Sequence, residues 1–129
     1  MKVLIAGGGT GGHVYPGIAV AEEIRRMRPG FEVLFVGGRR GIEAQAVPEA
    51  GFRIRFIATR GFPRRAWWVW PWAVLLNLVG FAQAVALILL ERPDVVLGTG
   101  GYVSGPVSLA ARMLGKSLFL QEQNSVPGI

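Results

Sequence analysis

The sequence predicts an α/β fold: one doubly wound, mostly parallel sheet with helices on both faces. Three observations carry this. Short runs of β-favouring apolar residues alternate with helical patterns from end to end. The first and fourth of these runs each break into a glycine-rich loop that opens a helix. And 129 residues, 51% of them hydrophobic, suffice to bury one core without staples.

Residues 3–6 read as the first strand. It breaks into five glycines around Thr10, and residues 19–24 then read as a helix that ends in basic residues and stops at Pro29-Gly30. Residues 32–36 form a second strand closed by Gly37-Gly38, which completes a βαβ unit. Residues 42–50 make a short helix with Pro48 near its end. Residues 53–58 alternate basic and apolar side chains, as suits a strand at a sheet edge. A long apolar segment follows. Residues 93–98 are the fourth strand, ending in a second loop, Gly98-Thr99-Gly100-Gly101-Tyr102-Val103-Ser104-Gly105-Pro106. Residues 107–114 form a helix capped by Gly115, and residues 117–121 a fifth strand that runs into Glu122-Gln123-Asn124. The expected strand order is 3-2-1-4-5. Strands 1 and 4 are then neighbours, and both glycine loops open into one crevice.

That crevice reads as an anion site. Glycine lets backbone N–H groups approach a ligand closely, and a helix start offers unpaired donors at the positive end of its dipole. Two such loops side by side suit a diphosphate. Gly7, Gly9 and Gly12 also fit G-x-G-x-x-G, the pattern of dinucleotide sites. However, the acidic residue that would hold a ribose is replaced by Arg39-Arg40, so NAD fits poorly and only an NADP-type reading stays open.

Composition narrows the classes. With no cysteine and one histidine, disulfides and thiolate or histidine-rich metal sites are excluded, and no cofactor is expected. The net charge of +6 points to an anionic partner. No hydrophobic leader precedes the first strand, so a cytoplasmic protein is expected.

The segment between strands 3 and 4 carries Arg60, Arg64 and Arg65, then Trp67, Trp68, Trp70 and Trp72, then an uncharged run to Leu90. Residues 72–90 are long enough to span a bilayer. Spanning would put strands 3 and 4 of one sheet on opposite sides of it. A wholly soluble crossover helix should show a polar face, and only Asn77 and Gln83 are on offer. The favoured reading is a crossover helix with one face on the sheet and its N-terminal end in the headgroup region. There tryptophans anchor and Arg64 and Arg65 meet anionic lipid. The apolar run offers nothing to a base, which counts against nucleic acid.

The three motifs, Gly8-Gly9-Thr10-Gly11-Gly12-His13 with Pro16, residues 93–106, and Glu122-Gln123-Asn124, together resemble the MurG family of peptidoglycan N-acetylglucosaminyltransferases. The resemblance covers the whole chain. It implies a GT-B glycosyltransferase built of two Rossmann-like domains, acting as a peripheral protein at the cytoplasmic face of the bacterial cell membrane. Residues 1–129 correspond to its N-terminal, acceptor-binding half, without the nucleotide-sugar half. The implied reaction moves N-acetylglucosamine from UDP-N-acetylglucosamine to the 4-hydroxyl of lipid I, an undecaprenyl-diphosphate-linked acceptor, giving lipid II with inversion. Carried over by position, Gly9 to His13 and Gly100, Gly101, Ser104 and Gly105 cradle the acceptor diphosphate, with Tyr102 lining the site or merely packing. Thr10, Gly11, Gly12 and Asn124 touch the sugar nucleotide. His13 is the implied general base, and the alternative is a histidine that only caps its loop. The family's helix before Pro93 normally mixes basic with apolar residues, whereas residues 72–90 are uncharged here. Alone, such a half is expected to be inactive. The alternative is a membrane-recruiting subunit of a split glycosyltransferase.

Overall fold

The computed structural model describes residues 1–8, 11–59, 65–101 and 103–121. Five parallel strands, β1 (Lys2–Gly7), β2 (Glu32–Gly37), β3 (Arg53–Phe56), β4 (Val95–Gly100) and β5 (Ser117–Leu120), lie in the order β3-β2-β1-β4-β5, as expected. Four α-helices connect them: α1 (Gly11–Met27), α2 (Glu43–Glu49), α3 (Trp70–Glu91) and α4 (Ser104–Met113). A 3-10 turn, Trp67–Val69, leads into α3.

The period-two alternation of β1 sorts the core into two layers. Leu4 and Ala6 face α3 and α4, where Ala84, Ile88, Val107 and Ala110 are fully buried. Val3 and Ile5 face the other way, onto Val14 and Ile18 of α1 and Val47 of α2. On that side the Phe35 and Phe52 rings meet at 5.5 Å between centres. At the N-terminal edge of the sheet, the nearly buried Glu91 carboxylate pairs with Lys2 and lies 3.8 Å from Arg53 and 3.6 Å from Arg55. The end of α3 is thereby tied to β1 and β3.

Several boundaries differ from the sequence expectation, each for a physical reason. α1 begins at Gly11 and not at residue 19. Glycine is costly in a helix interior, but the N–H groups of a first turn have no intrahelical partner to lose. Likewise α4 starts at Ser104 and not at residue 107, because Pro106 falls in the first turn, where its missing N–H costs nothing. α3 starts at Trp70, with Pro71 in the same kind of place. β4 starts later, at Val95, and runs on to Gly100, which pairs with Gly7 across an irregularity in register. Thr99 and Gly100 therefore belong to the strand. β3 ends at Phe56, although the Ile57 N–H still reaches the Gly37 carbonyl at 3.0 Å.

Candidate functional site

The ends of β1 and β4 bring the two glycine loops into backbone contact. The Gly8 N–H donates to the Gly100 carbonyl at 3.4 Å. Gly101 has φ +86°, and a Cβ there would overlap the Gly8 carbonyl oxygen. Only glycine allows this approach. α1 and α4 both start at this edge, and neither has an acidic residue in its first turn. Two helix N-termini and the glycine amides thus converge on one crevice, an arrangement that favours an anion.

His13 lies in the first turn of α1, half-buried, with Nδ1 3.3 Å from the Thr99 carbonyl oxygen. A carbonyl can only accept, so this contact assigns the proton to Nδ1 and leaves the lone pair of a neutral ring on Nε2. Thr99, 1% exposed, grips the same residue a second time by donating Oγ1–H to the His13 carbonyl at 2.7 Å. A Cβ on Gly100 would come within 2.5 Å of Nδ1, so glycine there is what admits the ring. The sequence assigns Thr99 no role. Its only sequence signal is a threonine between two glycines at a strand end.

Glu43 went unnoticed as well. It stands in the first turn of α2, is 2% exposed, and accepts the Gly38 N–H on Oε2 at 2.9 Å. A Cβ on Gly8 or on Gly37 would overlap its side chain. These glycines therefore make room for a carboxylate that braces the ends of β1 and β2. An acid opening a short helix after Gly37-Gly38 was the available signal.

Among the residues singled out from sequence, Gly11, Gly12, His13, Gly100, Gly101, Ser104 and Gly105 come together at this edge. Gly9, Thr10, Tyr102 and Asn124 lie outside the described residues. Ser104 is 7% exposed and its hydroxyl is turned to Gly98, so it meets the crevice through its place at the start of α4. Gly105 faces open space. Among the described residues there is no cluster of three acidic or histidine side chains that could hold a metal ion.

The tryptophan segment lies on a different surface. The span Trp67–Glu91 is long and apolar enough to cross a bilayer by length and composition. One face of α3, with Ala73, Gly80, Ala84 and Ile88, is nevertheless buried in the fold. Trp67, Trp68, Trp70 and Trp72 are exposed, together with Leu75, Leu78 and Val79. Arg65 is exposed beside them, and Arg64 lies outside the described residues. Asn77 is half-buried and Gln83 exposed, and both bond backbone groups. Asn77 donates to the Ala73 carbonyl at 2.8 Å, and Gln83 Oε1 accepts the Ala58 N–H at 2.6 Å.

Comparison with known proteins places this geometry in a family. A family model described as the glycosyltransferase family 28 N-terminal domain matches residues 3–129. The chain is 48% identical over 129 residues to a Moorella thermoacetica protein named UDP-N-acetylglucosamine–N-acetylmuramyl-(pentapeptide) pyrophosphoryl-undecaprenol N-acetylglucosamine transferase, covering 100% of this chain and 35% of that one. A Chlorobaculum tepidum protein of the same name is 48% identical over 135 residues, covering 100% of this chain and 36% of its own. Among solved structures, Acinetobacter baumannii MurG superposes with a TM-score of 0.79 at 32% identity, over 99% of this chain and 36% of that one. The chain thus spans about a third of the length of the curated relatives it matches.

Proposed function

The chain belongs to the glycosyltransferase family 28 N-terminal domains, and from that premise we propose that it is the acceptor-binding half of an N-acetylglucosaminyltransferase of peptidoglycan synthesis. The donor is UDP-N-acetylglucosamine, and the acceptor is the undecaprenyl-diphosphate-linked N-acetylmuramyl peptide, lipid I. The paired N-termini of α1 and α4, with the glycine amides between them, receive the acceptor diphosphate. His13 Nε2 takes the proton of the acceptor 4-hydroxyl. That oxygen bonds to the anomeric carbon of N-acetylglucosamine, and the bond from that carbon to UDP breaks with its electron pair leaving on UDP. Attack opposite the leaving group inverts the anomeric centre. Thr10, Gly11, Gly12 and Asn124 are assigned to the sugar nucleotide, which a second domain must mostly hold. This chain alone is therefore expected to be inactive.

One observation supports the reading: His13 Nδ1 lies against the Thr99 carbonyl between the two glycine loops, and a neutral ring donating there carries its basic lone pair on Nε2. The supporting surface is α3, whose exposed tryptophans with Arg65 suit peripheral attachment to the anionic cytoplasmic face of the cell membrane. The test is transfer of radiolabelled N-acetylglucosamine to a soluble lipid I analogue by the longer protein that carries this domain. His13→Ala is expected to lower kcat by roughly 10²–10⁴-fold, the usual worth of a general base. A His13→Ala enzyme within threefold of the parent would leave the histidine a loop cap only.

A further inference from the structure

Beside the glycine crevice lies a second cavity, which the transfer chemistry leaves unused. It is open to solvent on one side and offers about 470 Å³, within the roughly 300–1,000 Å³ of small-molecule pockets. Gly8 forms the wall it shares with the first glycine loop, and Phe56, Ile57, Leu76 and Val103 give it an apolar lining. Arg39 and Arg40, just after β2, also line it, and both are exposed. The Arg39 guanidinium sits 5.1 Å from the centre of the Phe56 ring, a cation–π contact that holds it over the lining. Among the described residues neither arginine forms an ion pair. Glu43 is also in the wall, almost without exposed surface and with Oε2 engaged by the Gly38 N–H. The two exposed arginines are the cationic groups of this wall and so the place for an anion.

We infer that this cavity holds the lipid-proximal end of the acceptor: the first prenyl units inside, with Arg39 and Arg40 on the phosphate that bears them. The inference rests on the diphosphate reading of the glycine crevice. A ligand whose diphosphate sits at that crevice has the cavity next to it, across Gly8. Leu76 belongs to α3, so the cavity lies between the crevice and the helix whose exposed surface is tryptophan and leucine. A prenyl chain leaving the diphosphate toward lipid takes that direction. The peptide stem is the rival occupant, because Arg39, Arg40 and Thr59 also line the wall, while Gln83 Oε1 already accepts the Ala58 N–H; binding of a phosphate-free muramyl dipeptide separates the two.

The test measures binding to the protein that carries this domain, using inorganic diphosphate, farnesyl diphosphate and a muramyl dipeptide without phosphate. Farnesyl diphosphate is expected to bind at least about tenfold more tightly than inorganic diphosphate, from burial of its chain. Leu76→Trp, which fills the cavity, should erase most of that margin while inorganic diphosphate binds as before, which also shows that the variant is folded. Should Leu76→Trp not fold, the surface double variant Arg39→Ala/Arg40→Ala is read instead: it should weaken both diphosphates through the phosphate contact they share, and unchanged affinity for farnesyl diphosphate overturns the inference. Equal affinity for the two diphosphates overturns the inference and leaves the diphosphate cradle intact. So does a margin lost in Trp67→Ala/Trp68→Ala but kept in the cavity variants, which would put the chain on the outer surface. Muramyl dipeptide binding that falls with the arginines would assign the cavity to the peptide and overturn it too. Failure of every ligand, inorganic diphosphate included, overturns the diphosphate reading and this inference together.

Discussion

Gly101 shows how tightly the two loops constrain each other. Its φ of +86° is strained for any residue with a Cβ, and that Cβ would also overlap the Gly8 carbonyl. The backbone term alone costs about 1–2 kcal/mol, and the overlap adds to it. Gly101→Ala is expected to lower unfolding free energy by roughly 2 kcal/mol or more, read from the midpoint of a urea transition at unchanged slope. A loss under 0.5 kcal/mol would mean that the loops part without cost. Gly105→Ala is the contrast, since a Cβ there meets nothing within 4 Å. At this scale the sequence revealed the glycines and His13, whose residue types announce themselves. It hid Thr99 and Glu43. Their roles are hydrogen bonds to backbone that depend on the folded position, and for Thr99 the partner is 86 residues away.

At the scale of elements, α3 decides how the apolar surface is presented. Gly80 lies against the Ala58 carbonyl so closely that a Cβ would overlap it, and Gln83, less than one turn on, accepts the Ala58 N–H. The helix is thus docked on both polar groups of a single residue beyond β3. In a free helix, Gly→Ala stabilises by up to about 1 kcal/mol. Here the overlap must push α3 off the sheet, an overpacking cost of about 1–3 kcal/mol, so the sign reverses. Gly80→Ala should therefore destabilise, by about 1 kcal/mol or more net in chemical denaturation. A stabilised variant would show that α3 does not rest on Ala58. The number, type and order of the elements were legible because strand and helix periods differ. Their first turns were not, since the penalties of Gly11 and Pro106 vanish where a helix has no bonds to lose. The lack of a polar face on α3 was legible too, but not that its two polar groups, Asn77 and Gln83, are spent on backbone groups.

The whole molecule is held at its two edges by different forces. At the edge away from the crevice, Glu91 gathers Lys2, Arg53 and Arg55. The hydrogen bond from Lys2, aided by the charges of Lys2, Arg53 and Arg55 and opposed by burial, holds its carboxyl below the ordinary 4.5. A carboxyl lowered on folding contributes stability that is full above its unfolded value and is lost as pH falls through the folded one. Acid should therefore weaken the fold from about pH 4.5 downward, and Glu91→Gln should flatten that part of the stability profile. An unchanged profile would mean that the network adds nothing. The sheet order followed from the alternation of strands and helices in a doubly wound sheet, whereas the ion cluster could not be read, because its members come from β1, β3 and α3. The opposite demand is made on the surface of α3, where a net charge of +6 and a tryptophan cluster share one molecule. Each basic residue near an anionic leaflet contributes about 1 kcal/mol and fades beyond a Debye length, while tryptophan burial is indifferent to salt. For the protein that carries this domain, sedimentation with anionic vesicles should therefore weaken with salt down to a residual level. That residue should match binding to neutral vesicles and should fall in Trp67→Ala/Trp68→Ala. If the tryptophan variant keeps that residual binding, the salt-resistant part of the attachment comes from elsewhere and the exposed tryptophans of α3 meet something other than lipid.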